Sequence, residues 1–86
     1  MSIISAKRAA QNGFGDLGQV LSGTMRYDNS AEEQVYTFLV AIKGEAEPRQ
    51  YLFRVKKGVS WEIELARRGR IAADMVREDK AKGAAA

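Results

Sequence analysis

The spacing of apolar residues changes twice along the chain, and each change predicts an element. Residues 35–42 (VYTFLVAI) form an unbroken apolar or β-branched run, the pattern of a central strand. Residues 51–57 alternate, with Tyr51, Phe53 and Val55 on one side and Leu52, Arg54 and Lys56 on the other, as a strand with one buried face does. The polar stretch 44–49, which holds Pro48, is short enough to join the two as an antiparallel hairpin. Setting Ile42 opposite Tyr51, Val40 opposite Phe53 and Phe38 opposite Val55 puts all six on one face, and this is the register we predict. Residues 17–27 supply a first strand, with Leu21, Gly23 and Met25 inward and Val20, Ser22, Thr24 and Arg26 outward. Gly23 predicts a bulge or the close approach of an aromatic ring. From Trp61 to about Lys80 the period becomes helical, with Trp61, Leu65, Ala72 and Val76 in a stripe flanked by Ile71 and Met75. Gly69 lies in that stripe and predicts a close approach over Phe38 or Phe53. Gly83 should end the helix, leaving 84–86 as a disordered tail. Residues 1–12 fit either a short strand anchored by Ile3 and Ile4 or a helical turn over 5–11. The fold class is therefore α+β: a three-stranded antiparallel meander with one C-terminal helix on one face and an irregular or helical N-terminal segment, in a single domain of residues 1–83.

One helix covers one side of a sheet. The predicted register turns Val35, Thr37, Leu39 and Ala41 to the other side, beside Leu52, Arg54 and Lys56. Unless the N-terminal segment folds over them, Val35, Leu39 and Leu52 form an exposed apolar patch of the kind that marks an interaction site. Val35, Leu39, Leu52, Arg54 and Lys56 are accordingly the candidate partner-binding residues, the partner being another protein or a second copy. The outer strands are a second route to association. Arg54, Lys56 and Lys57 should guard the third strand, whereas the first looks less protected.

Charge adds an alternative. The net charge of the 86-residue chain is only +3, but residues 51–72 carry six bases against two acids. Lys57, Arg67, Arg68 and Arg70 could meet nucleic-acid phosphates. The aromatic residues Tyr36, Phe38, Tyr51 and Phe53 read as inner-face core, which leaves no platform for stacking bases. The chain has no histidine and no cysteine. The commonest general base, nucleophile and zinc ligands are thus missing, and the acids fall mostly in turns. We expect no catalysis, no metal and no cofactor. Residues 1–10 lack the apolar core of a signal peptide and no run is long enough to span a bilayer, so the expected location is the cytoplasm.

Two sets of letters resemble known families. Gly13, Gly15, Gly18 and Val20 spell GxGxxGxV, and Val40 to Lys43 spell VAIK, which resembles the glycine-rich loop and lysine strand of protein kinases, with Glu62 in place of the acid that pairs the lysine. No histidine is present and nothing downstream resembles HRD or DFG, so the kinase base and metal-binding acid have no position and the glycines are read as a loop. A dinucleotide-binding reading fails because a strand follows the glycines where a helix is needed. If 5–11 is helical, the element order resembles a double-stranded RNA-binding domain. That family begins its last helix with lysines, and here the start reads SWEIE, so no family is assigned.

Overall fold

The computed structural model describes residues 2–85. Helix α1 spans Ile3–Phe14 and a single 3-10 turn, Gly15–Leu17, leads into β1, Gly18–Asp28. Strands β2, Glu33–Ile42, and β3, Arg49–Lys56, follow, and α2 runs over Trp61–Ala85. The sheet is antiparallel throughout, in the order β1-β2-β3. The architecture is α+β, as the apolar spacing predicts.

The N-terminal segment resolves as a helix because its small residues repeat at helical spacing. Ala6, Ala9 and Ala10 are buried and Phe14 closes the stripe. Ser2 caps it, its Oγ accepting from the Ser5 amide at 3.2 Å. Both helices lie on the same face of the sheet, so α1 adds to the core rather than covering the outer face. Phe14 packs against Tyr51 and Phe53, with ring centroids 5.3 and 6.3 Å away. Leu65, Ala72, Ala73 and Val76 of α2 complete the core with Tyr36, Phe38, Val40, Ile42 and Val55.

The glycines predicted as a loop have separate duties. Gly13 lies inside α1, where a Cβ would sit 2.0 Å from the Ala66 carbonyl oxygen. Gly69 answers it from α2, where a Cβ would sit 2.7 Å from the Ala10 carbonyl oxygen. The close approach expected of Gly69 is therefore to α1 and not to Phe38 or Phe53. Gly15 ends the helix at φ +60°, a conformation that favours glycine. The kinase-like lettering is thus explained by a helix crossing and a helix stop.

Several expectations are corrected. In the hairpin, Phe38 faces Tyr51 and Tyr36 faces Phe53, so β3 is displaced by four residues from the predicted register. A slip by an even number keeps every side chain on its face, which is why the inner set survives. In β1 the register breaks between Val20 and Ser22. The bulge turns Val20 inward opposite Val40 and leaves Leu21 exposed, the reverse of the prediction. Gly23 does meet an aromatic ring: a Cβ there would lie 2.8 Å from Phe38 Cδ1. Along α2, Asp74 pairs with Arg77 at 3.3 Å rather than with Arg70 four residues before it, and Glu64 pairs with Arg68 at 2.9 Å. α2 passes through Gly83 and continues to Ala85, since no neighbour crowds that position and a single glycine weakens a helix without ending it. Of the expected tail, Ala86 lies outside the described residues.

Candidate interaction surface

With two helices on one side, the other side of the sheet is bare. Leu39 is 36% exposed and Leu52 53% exposed, while Phe38 and Phe53 beside them are buried beneath the helices. Leu21, which the bulge leaves without a cross-strand partner, is exposed as well. Thr24, Thr37 and Leu52 lie in one row across the three strands, and Ser22, Leu39 and Gln50 in the next. The surface is a mixed one, with apolar anchors among small hydroxyls and amides.

Val35 does not belong to it. It shares the face but is 1% exposed. The ladder flanks it with Arg26 and Arg54. Arg54 reaches from β3 across β2 to Asp28 on β1, with Nη1 3.1 Å from Asp28 Oδ2 and 3.7 Å from Glu33 Oε1. A guanidinium held over the sheet in this way roofs the residues under its stem. The Ala31 backbone amide, followed by Arg54, holds the Asp28 carboxyl below its ordinary value of 3.8. Arg54 is therefore a strap across the face and not a guard at the β3 edge. Lys56 is exposed and makes no ion pair among the described residues.

The structure also brings together residues that the sequence separated into two candidate sites. Arg54 and Lys56 from β3 and Arg67 and Arg68 from α2 line one groove of about 370 Å³, with Leu52 and Val59 at its apolar end. Its cations are partly matched in place. Arg67 and Arg68 both hold Glu64 Oε1, at 3.1 and 2.9 Å, and Glu33 lies in the same groove. Lys57 and Arg70 are exposed but lie outside it.

The two sheet edges are unequal, in the sense opposite to the one expected. α1 seals the start of the β1 edge. The Val20 amide donates to Gln11 Oε1 at 2.8 Å, Gln11 Nε2 donates to the Gly18 carbonyl at 2.7 Å, and Lys7 Nζ donates to the Leu21 carbonyl at 3.2 Å. Among the described residues no side chain bonds to the backbone of β3. Beside that open edge, Tyr51, Leu52 and Phe53 line a groove with Ile71, Ala72 and Met75 of α2, and Arg68 and Asp79 stand at its ends. The Tyr51 hydroxyl is buried near Arg49 without a hydrogen bond of good geometry, although it adds to the dominant pull of Glu45 that raises the Arg49 pKa.

Among the described residues no group of three or more carboxylates could hold a metal ion, and no helix is long and apolar enough to cross a membrane. No family model, curated protein or solved structure matches the chain. The helix–three-strand–helix order by itself assigns no family.

Proposed function

We propose that this chain is a small non-catalytic protein-interaction module, an accessory subunit, adaptor or inhibitor of the cytoplasm, that seats another protein on its bare sheet face. The observation that carries this reading is the exposure of Leu39 and Leu52 on a face that neither helix covers. Apolar area buried there contributes roughly 25 cal/mol per Å² before the costs of association. Arg26 and Lys56 are exposed on the same face without ion pairs among the described residues, so the complementary surface is apolar with carboxylates at its margin. The lack of histidine and cysteine supports a role without catalysis.

The groove that gathers Arg54, Lys56, Arg67 and Arg68 favours a second reading, a phosphate-binding surface for nucleic acid. It is the weaker of the two. Glu64 already holds Arg67 and Arg68, and Asp28 and Glu33 hold Arg54, which leaves Lys56 alone of the four unpaired among the described residues; Tyr36, Phe38 and Phe53 are buried and cannot stack with bases.

One experiment separates the readings. A photo-crosslinking residue at Thr37, irradiated in a native extract, should give a dominant adduct with one other polypeptide. That adduct should survive nuclease and disappear when Leu39→Glu is added, while circular dichroism shows the fold intact. Adducts removed by nuclease, or adducts indifferent to Leu39→Glu, would overturn the protein-docking reading. Binding to RNA or DNA that falls steeply with salt and with replacement of Arg67 and Arg68 would put the second in its place.

A further inference from the structure

We infer that the open edge of β3 pairs with the same edge of a second copy, across a two-fold axis at Leu52, so that α2 meets its equivalent above the seam. This goes beyond docking on the sheet face and uses the backbone edge and α2 beside it, with Leu52 common to both. It starts from the asymmetry of the edges: the start of β1 is sealed by Gln11 and Lys7, and β3 is not. An unsealed edge is a row of unpaired donors and acceptors that another strand completes.

The edge is suited to its own copy. With Leu52 opposite the partner's Leu52, Tyr51 falls opposite the partner's Phe53, Gln50 opposite the partner's Arg54, and Arg49 opposite the partner's Val55. Aromatic meets aromatic on the helix side, and no like charges face each other. The cation that would most disturb the seam, Arg54, is drawn away over β2 to Asp28.

α2 carries the same symmetry independently. Beyond its core stripe it shows a second one, with Ile71 42% and Met75 60% exposed, facing the groove beside Tyr51, Leu52 and Phe53. The axis through Leu52 therefore passes close to the midpoint between Ile71 and Met75. Paired strands lie about 4.8 Å apart and packed helices about 8–10 Å apart, so two helices on one side of the seam come into contact. Turning α2 about that midpoint sets Ile71 against the partner's Met75 and Arg68, whose Nε also holds Glu64 of its own chain at 2.9 Å, alongside the partner's Asp79. The stripe reads cation, apolar, apolar, anion, and an antiparallel copy complements it. Asp79 has no ion pair among the described residues.

The test uses the absence of native cysteine. Directly opposed residues of an antiparallel pair have Cα atoms about 4.5–5.5 Å apart, within the range a disulfide accepts. Leu52→Cys, mildly oxidised with air and a copper catalyst, should form a covalent dimer readily, and Leu39→Cys should not. In sedimentation velocity the native chain should dimerise. Met75→Glu should leave a folded monomer. Asp79→Arg should weaken association about tenfold or more, and Asp79→Arg combined with Arg68→Asp should restore it. A native chain that stays monomeric at high micromolar concentration, crosslinking at Leu39→Cys in preference to Leu52→Cys, or dimerisation indifferent to Met75→Glu would overturn the inference. Its failure is distinguishable from failure of the docking reading, because Leu39→Glu leaves the seam untouched and Met75→Glu leaves the sheet face untouched.

Discussion

At the scale of single residues, the molecule turns on the absence of a few methyl groups. Gly13 and Gly69 let two helix backbones meet, and the same Gly→Ala change should have different consequences at three positions. At Gly13 the new Cβ would lie 2.0 Å from a backbone oxygen, which cannot move without shifting α2. The overpacking should outweigh the gain in helix propensity of about 1 kcal/mol and destabilise the protein by several kcal/mol. At Gly69 the nearest oxygen is 2.7 Å away, so the loss should be smaller but of the same sign. At Gly83 nothing stands within 4 Å, and alanine should stabilise by a few tenths of a kcal/mol near the helix end. Urea unfolding midpoints in the order Gly83→Ala, native, Gly69→Ala, Gly13→Ala would bear this out, and a stabilised Gly13→Ala would refute the helix crossing. The sequence shows a glycine within an apolar stripe but not which neighbour it admits. Gly69 could have served a ring of the sheet as well as α1, because a missing side chain leaves no pattern of its own.

At the scale of elements, period and parity were legible, while register and edges were not. The alternation in β3 and the double-sided apolar run of β2 fix which residues look inward, and a slip of four in the hairpin left that assignment intact. The bulge after Val20 was hidden because it adds a single residue and reverses the faces of Val20 and Leu21 without altering composition. α1 was ambiguous because its buried face is alanine, whose burial carries little hydrophobic signal. The exposed Leu39 and Leu52 followed from parity alone. The burial of Val35 did not, since it depends on where the long side chain of Arg54 goes. The sealing of β1 by Gln11 was equally hidden, as nothing in a glutamine's neighbours announces that it bonds to a strand. Its role can be measured. Gln11→Ala strips the Val20 amide and the Gly18 carbonyl of partners in a partly buried place, which should cost about 1–3 kcal/mol. Hydrogen exchange at the Val20 amide should accelerate beyond what the loss of global stability explains. An unchanged exchange rate there would mean that solvent already satisfies the edge.

At the scale of the whole molecule, two depressed carboxylates hold opposite ends of the sheet, and they give it an acid limit. Asp28 sits where β1 gives way to β2, and Glu45 sits in the β2–β3 turn. Glu45 accepts from Arg49 Nε and Nη2, each at 2.8 Å, and lies 3.8 Å from Lys80, whose Nζ also donates to the Lys43 carbonyl, so that α2 is tied to the hairpin. Arg49, ahead of Lys80, lowers the Glu45 pKa from its ordinary 4.5, as Ala31 and Arg54 lower that of Asp28 from 3.8. Each folded value lies below the unfolded one. The stability each confers is therefore complete above 4.5 or 3.8 and drains away as pH falls through the lower folded value. Both side chains are only partly buried, so the effect should be modest and should differ between them with salt. The largest influence on Asp28 is a backbone amide, which salt does not displace. That on Glu45 is a guanidinium, whose attraction salt screens. Thermal melts from neutral pH down to a pH below 3.8 should thus show a falling midpoint, flattened by either Asp28→Asn or Glu45→Gln. At high salt the contribution removed by Asp28→Asn should persist and that removed by Glu45→Gln should shrink. Equal loss of both in salt would mean that Arg54, rather than the turn backbone, sets the charge of Asp28, and that the strap across the bare face is held by attraction alone.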